Sequence, residues 1–151
     1  MKLQLHLIPE SSFYSNLRNK LGETQWSQIS KMVRGYHGNT CQLCGWVQNP
    51  QRKLYTHLHE IWDFKDGVQT LIDFECVCPT CHSVHHWGLS NIQRKDMKFL
   101  VKHACKVNEC TEDEFIKHIE QAGKEWKARS KSEWELNLDK LNEILSKYNN
   151  L

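Results

Sequence analysis

Four cysteines, arranged in two pairs, are the residues whose type and spacing most clearly indicate chemistry. The pairs are Cys41-x-x-Cys44 and Cys78-x-x-Cys81, and residues 45–77 separate them. Two residues between thiolates allow one tight turn to offer both sulfurs to a tetrahedral ion at about 2.3 Å. Four thiolates leave no coordination position open, so the sequence predicts a structural zinc ion rather than a catalytic one.

Chance placement and redox chemistry account for the cysteine pairs less well. The chain has 7 cysteines in 151 residues, and for that content chance placement gives only about 0.3 C-x-x-C pairs. A thioredoxin-like redox pair would open a helix after a strand, and we expect neither pair to do so. The cysteines left over are expected to be small, buried, apolar side chains; they are Cys76, Cys105 and Cys110.

Histidines are concentrated between and directly after the cysteine pairs. One group lies on a predicted strand and consists of His57, His59 and Glu60. The other follows the last cysteine and consists of His82, His85 and His86. His82 and His86 are four residues apart, which places both imidazoles on one face of a helix, ready to share a metal. Because the zinc joins the two ends of the intervening hairpin, this helix should lie beside His59, and we expect a second, catalytic metal site there.

Hydrolysis of a phosphodiester bond is the chemistry that suits such a site. A metal held by imidazoles polarises the phosphate and stabilises the leaving oxygen, while a nearby histidine or carboxylate takes a proton from the attacking water. Imidazole ligands favour Zn²⁺, Ni²⁺ or Mn²⁺, and open coordination positions also allow Mg²⁺. Alternatively, some of these histidines bind the structural zinc, although four cysteines already complete its coordination.

The elements that must position these residues begin with alternating patterns. Leu3, Leu5 and Leu7 alternate with polar residues and predict a first strand that ends at Pro9. A short helix is predicted over residues 13–20 and ends at Gly22, and a second helix follows with Thr24 as N-cap. Residues 54–62 and 68–77 are predicted strands, joined by the hairpin signal Asp66-Gly67.

The C-terminal part is predicted to be mostly helical. Ser90 is the expected N-cap of one helix, and Thr111 to Glu114 forms a capping box that opens the next. Alternation of Trp134, Leu136 and Leu138 predicts a late strand. We expect that strand to pair with the first strand and so to join the two termini in a small sheet.

Composition favours one domain and excludes some classes of protein. No run of about 18 apolar residues is present, so the sequence predicts no membrane-spanning segment. The N-terminus alternates instead of forming the apolar block of a signal peptide, which leads us to expect a reducing cytoplasm, where disulfides are rare. The formal net charge of +2 permits binding of nucleic acid without arguing for it.

The motifs resemble the HNH endonuclease superfamily, whose core is a ββα-metal unit. The resemblance is carried by Cys41-x-x-Cys44, by His59-Glu60-Ile61-Trp62, and by the segment CPTCHSVHH from Cys78 to His86. Softer similarity in the flanks covers nearly the whole chain and points to a subgroup of small bacterial and phage HNH-domain proteins. The resemblance implies an α+β fold: a ββα-metal core stapled by a four-cysteine zinc site, with flanking helices. It implies a single domain over residues 1–151, with its core at about 38–90, a strand and helices at 1–37, and a helical region at 91–151.

Site roles implied by the resemblance are the catalytic residues His59, Glu60, His82 and His86. His59, His82 and His86 would also bind the catalytic metal. In one alignment His59 is the ligand and Glu60 occupies the position of the general base. In the other His59 is the base, and His57 or Glu60 must bind the metal instead. His85 falls at a variable position and is expected to contact phosphate or to lie on the surface.

The first hypothesis is therefore a metal-dependent endonuclease that cuts DNA and leaves 5′-phosphate and 3′-hydroxyl ends. The alternative is a non-catalytic, zinc-stapled module that binds nucleic acid or protein. A third hypothesis is a subunit of a bacterial or phage defence or counter-defence complex, in which a protein partner supplies target choice. The aromatic and basic residues near the motifs do not decide among these hypotheses, since Trp62 is expected to lie in the core and the Lys95 to Lys106 face in solvent.

Overall fold

A long antiparallel hairpin is the central element of the computed structural model, which describes residues 1–149. Its strands are β1 (His57–Lys65) and β2 (Val68–Val77). Asp66 and Gly67 both have positive φ, 50° and 77°, as the tight turn between twisted strands requires. The predicted turn and second strand are confirmed, while the first strand begins at His57 instead of Leu54.

Helices surround this hairpin within residues 1–149, so the predicted mixed α and β class is confirmed. They are α1 (Leu17–Leu21), α2 (Glu23–Tyr36), α3 (Pro79–His85), α4 (Trp87–Ile92), α5 (Met97–Asn108), α6 (Glu112–Arg129) and α7 (Leu141–Ser146). Two single 3₁₀ turns lie at Glu10–Ser12 and Pro50–Arg52. No helix of the described chain is long and apolar enough to cross a membrane.

The sheet does not join the termini, which corrects the sequence prediction. The late strand exists as β3 (Glu135–Asn137), but it pairs in parallel with the start of β2. The N-terminal segment forms no strand and does not belong to the sheet. Side chains satisfy its backbone instead: the Asn108 amide accepts from Leu3 N and donates to Leu3 O, and His118 Nε2 accepts from Leu5 N.

The observed helix starts agree only in part with the capping patterns of the sequence. The capping box of Thr111 and Glu114 is present in full at the start of α6. Ser90 lies inside α4, and Asp96 caps α5 by accepting from Phe99 N. Thr24 lies inside α2, whose N-cap is Gly22. Several polar residues near a helix start satisfy the same capping pattern, so spacing alone does not choose among them.

Two apolar clusters pack around the hairpin. The first contains three of the paired cysteines together with Leu3, Leu5, Val77, Val84, Leu100, Ala104, Phe115 and Ala122. The second contains Leu17, Ile29, Val33, Leu58, Leu71, Phe74, Ile144 and Tyr148. Burial of each large apolar side chain contributes about 1.5–3 kcal/mol. Trp62 packs against the second cluster, as predicted for a core residue.

Candidate metal centres

The four paired cysteines converge in one group, here called the thiol cluster: Cys41, Cys44, Cys78 and Cys81. Their sulfurs all lie within 4.8 Å of one another. Cys44 Sγ and Cys78 Sγ are 3.6 Å apart, close to the roughly 3.8 Å that separates thiolates on a tetrahedral zinc ion. The group therefore fits a structural metal such as zinc.

Local structure explains how each pair of sulfurs is presented. Cys41 and Cys44 lie in a turn closed by the bond from Gly45 N to Cys41 O, and Gly45 has a φ of 76°. Cys78 is the N-cap of α3, and its sulfur accepts from Cys81 N at 3.3 Å. The strand β2 ends one residue earlier, so the hairpin itself brings the second pair to the first. The second pair therefore does open a helix after a strand, which corrects the sequence expectation, but its sulfurs face the other pair instead of forming a separate redox pair.

The pKa values of these thiols depend on one another. The pKa of Cys41 is well below its usual value because its sulfur accepts hydrogen bonds from Cys78 and Cys81. The resulting thiolate raises the pKa of Cys78 to about 12 and also raises the pKa of Cys81. Four sulfurs at this separation therefore ionise together only when a positive ion neutralises them.

An imidazole that the sequence did not single out contacts this cluster. His103 Nε2, on α5, lies 3.1 Å from Cys81 Sγ. A ring N–H at this place donates to the thiolate and offsets part of its charge. Of the cysteines left over, Cys76 is buried as predicted, whereas Cys105 and Cys110 are only half-buried.

Three histidines form a second group, here called the imidazole cluster: His59, His82 and His86. His59 lies in β1, His82 lies in α3, and His86 is the C-cap of α3. Their candidate ligand nitrogens lie within 4.8 Å of one another. The ring planes meet at 75°, 76° and 80°, with centroids 4.7–5.3 Å apart. Steeply inclined rings can direct their in-plane lone pairs at one point, so this group fits a metal ion held by imidazoles.

The cluster is held in the uncharged form that metal binding needs. Burial lowers the pKa of His82 to about 2 and that of His86 to about 4, and the surrounding histidines add to both shifts. Burial also lowers the pKa of His59 well below its usual value. Neutral imidazoles keep a lone pair free, so protons do not compete with a cation here.

A third group, here called the imidazole stack, shares His59 and adds His6 and His85. Its rings are nearly parallel, at 6°, 12° and 18°. Parallel rings do not aim their lone pairs at a common point. Both nitrogens of His85 also face acceptors, Gln4 O at 2.7 Å and Glu75 Oε2 at 2.8 Å. Both ring nitrogens of His85 are therefore engaged in hydrogen bonds and are not available to a metal, so we interpret the stack as support for the imidazole cluster.

His85 differs from its predicted place. The sequence led us to expect a phosphate contact or a surface side chain, but His85 is 1% exposed. Its partner Glu75 stands directly opposite His59 in the hairpin register. Cross-strand partners share one face of a sheet. The hairpin therefore holds His85 against His59 through Glu75.

Glu60 is not brought to the imidazole cluster. Successive side chains of a strand point to opposite faces, and Glu60 lies on the face away from His59. Its Oε1 accepts from Leu17 N at 2.9 Å, and its Oε2 accepts from Trp62 Nε1 at 3.2 Å. Burial raises its pKa, partly offset by these hydrogen bonds. The geometry therefore gives this carboxylate a structural place that joins β1 to α1.

Two polar side chains do border the cluster. His57 is exposed on the same face of β1 as His59, and its Nδ1 lies 2.9 Å from His82 Nδ1. Lys95 donates to Ser83 Oγ at 2.8 Å. Its charge contributes to the lowered pKa values of His57, His82 and His86. The site thus combines neutral imidazoles with the nearby cations Lys95 and Arg34.

Comparison of the chain with protein-family models, with curated proteins and with solved structures finds no match.

Proposed function

We propose that this chain is a metal-dependent endonuclease of the HNH type that hydrolyses phosphodiester bonds of DNA. The imidazole cluster is the observation that supports the proposal. Its three neutral, inclined imidazoles come from β1 and from the C-terminal end of α3, and they lie beside the hairpin whose ends the thiol cluster joins. Phosphodiester hydrolysis needs a cation at the phosphate and few other protein groups. The resemblance of the motifs to HNH endonucleases agrees with this combination.

His59, His82 and His86 would hold the divalent metal, which polarises the phosphate and stabilises charge on the leaving oxygen. The ammonium group of Lys95 would help to attract the anionic backbone of the substrate. Lys95 is exposed and its charge is felt by the cluster, so it is available to a ligand from solvent.

We assign the proton-accepting role to His57 instead of Glu60. His57 is the exposed imidazole beside the cluster, and its pKa is lowered by burial of the ring and then by Arg34 and Lys95. A neutral imidazole can take a proton from water near neutral pH, and His57 would do so at Nδ1 once this nitrogen is released from its contact with His82. Glu60, in contrast, is held by Leu17 and Trp62.

Cleavage of supercoiled plasmid by zinc-loaded protein tests the proposal, with Mg²⁺, Mn²⁺, Ni²⁺ and Co²⁺ supplied separately. His59→Ala and His86→Ala should abolish cleavage, and His57→Gln should reduce it. His37→Ala is the matched control, because His37 belongs to neither imidazole group. Absence of cleavage by folded protein in every metal, or full activity of His86→Ala, would refute the proposal.

A second candidate is a zinc-stapled module that binds nucleic acid or protein without cutting. The hydrogen bond of Glu60 to Leu17 N favours this second function. The resemblance offers Glu60 as the general base, but this carboxylate is held in a structural contact. Metal stoichiometry separates the two functions. A chain that retains one zinc and takes up no second divalent ion at the imidazole cluster would be the binding module.

A further inference from the structure

His6 reaches the imidazole cluster from the other end of the chain. Its Nδ1 lies 2.8 Å from His59 Nε2, across 53 residues of sequence. We propose that His6 is a positioning residue that fixes the ring orientation and tautomer of His59 for metal binding. The inference rests on the proposed function, since it assigns a partner to one of the proposed metal ligands.

Hydrogen bonds to the backbone fix the place of His6. His6 N donates to His85 O at 2.9 Å, and the neighbouring Leu5 N donates to His118. The side-chain amide of Asn108 forms hydrogen bonds with both the backbone N–H and the backbone C=O of Leu3. The N-terminal segment, which has no sheet partner, is thus held by α3, α5 and α6, and it places the His6 side chain at the site.

The hydrogen bond decides which nitrogen of His59 is free. A ring nitrogen that takes part in a hydrogen bond cannot hold a metal at the same time, so Nε2 is committed to His6 and Nδ1 remains. An imidazole that binds a metal through Nδ1 carries its proton on Nε2. The bond therefore runs from His59 Nε2–H to the lone pair of His6 Nδ1, and His6 keeps its own proton on Nε2.

Such partners matter for metal sites. Ligating histidines usually donate their second ring N–H to an acceptor, and loss of that acceptor typically costs about 10–100-fold in metal affinity. The partner holds the ring in the plane that the ion requires and makes the ligating nitrogen more basic. His6 would do this with imidazole as the acceptor.

Packing alone would be a different role for His6. Its ring also covers His85, with centroids 4.2 Å apart and planes at 12°. His6→Phe keeps a ring over His85 but removes the acceptor. His6→Asn removes the ring but puts an amide oxygen close to where Nδ1 stands. The two variants therefore separate the acceptor from the stack.

Titration of the full-length, zinc-loaded chain with Co²⁺ provides the test, followed by the visible d–d absorption of cobalt. Absence of a thiolate-to-cobalt charge-transfer band shows that zinc stays in the thiol cluster. We expect His6→Phe to weaken Co²⁺ binding about 10–100-fold, and His6→Asn to weaken it less than about threefold. Thermal unfolding of both zinc-loaded variants controls for general damage.

Each outcome of this titration is decisive. Equal Co²⁺ affinity of wild type and His6→Phe, or a larger loss in His6→Asn than in His6→Phe, would overturn the positioning role while leaving the metal site intact. A changed d–d band in His6→Asn would place His6 on the ion itself and would also overturn it. Failure of wild-type protein to bind Co²⁺ at a second site would overturn the proposed function as well.

Discussion

The ring of His59 lies flat against the ring of His85, with centroids 4.3 Å apart and planes only 6° from parallel. His59 belongs to the hairpin and His85 to the helix after it, so the contact joins the two elements that carry the imidazole cluster. Glu75 lies opposite His59 in β2. Its carboxylate forms a hydrogen bond with His85 Nε2, while His85 Nδ1 faces Gln4 O. The hairpin therefore sets the position of α3 through a buried polar contact as well as through the cysteines.

Substitution of Glu75 tests that contact. Glu75→Leu should lower the free energy of unfolding by about 1–3 kcal/mol, because a buried N–H of His85 loses its acceptor. Glu75→Gln should cost less, since its amide oxygen can still accept from His85. Denaturant unfolding of zinc-loaded protein measures both. Equal stability of the Leu variant and wild type would show that the His85 contact does not hold α3.

Removal of one ligand from either metal group should show which group maintains the fold and which is needed for activity. Cys41→Ser should lose zinc and unfold the hairpin end, because binding of a structural zinc is largely folding free energy. His86→Ala should keep zinc and fold but lose the second metal. Native mass spectrometry counts the metals, and thermal unfolding reports the fold. Loss of zinc in His86→Ala would contradict the assignment of two independent sites.

His103 should control how firmly zinc is held. His103→Phe removes the donor that lies 3.1 Å from Cys81 Sγ, so transfer of zinc to a chelator should become about tenfold faster. His103→Gln is the matched control, because its amide can still donate to the sulfur. A colorimetric chelator assay follows the transfer. Identical rates for wild type and the Phe variant would remove His103 from the zinc site.

The sequence predicted the features that depend on short spacing. Cys41 and Cys44 lie in a tight turn, and Cys78 and Cys81 lie in the first turn of α3. In both cases the two intervening residues largely determine the distance between the sulfurs. Asp66-Gly67 needs positive φ at both positions, which few other dipeptides supply. His82 and His86 meet because a helix repeats every 3.6 residues. Each of these predictions needed only local conformation.

Features that depend on distant packing were not predictable in the same way. His6 alternates with leucines, and that pattern does not distinguish a strand from an irregular segment held by hydrogen bonds to side chains. Nothing local connects His6 to His59, or His103 to Cys81. Glu60 is different, because strand alternation already separates its face from that of His59. That signal was available in the sequence and argues against a shared role.

Tyr148 supplies a pH test of the second apolar cluster. Its hydroxyl donates to Asp73 Oδ1 at 2.7 Å, and the residue is 5% exposed. Burial raises the pKa of Tyr148, and the Asp73 carboxylate raises it further. A raised folded-state pKa means that the native state holds its proton more tightly than the unfolded chain does. The stability from this contact is therefore complete below the usual tyrosine pKa of about 10 and declines as pH rises beyond it.

Comparison of wild type with Tyr148→Phe checks this dependence. At pH 8 the Phe variant should be less stable by about 2 kcal/mol, the typical contribution of a hydrogen bond to a charged group. The gap should narrow above about pH 10, because the wild type then loses stability that the variant never had. Tyr14→Phe is the control, since Tyr14 is 87% exposed and should show no gap at either pH. A gap that stays constant from pH 8 to beyond pH 10 would contradict this assignment, because the stability lost in the Phe variant would then not depend on the proton that joins Tyr148 to Asp73.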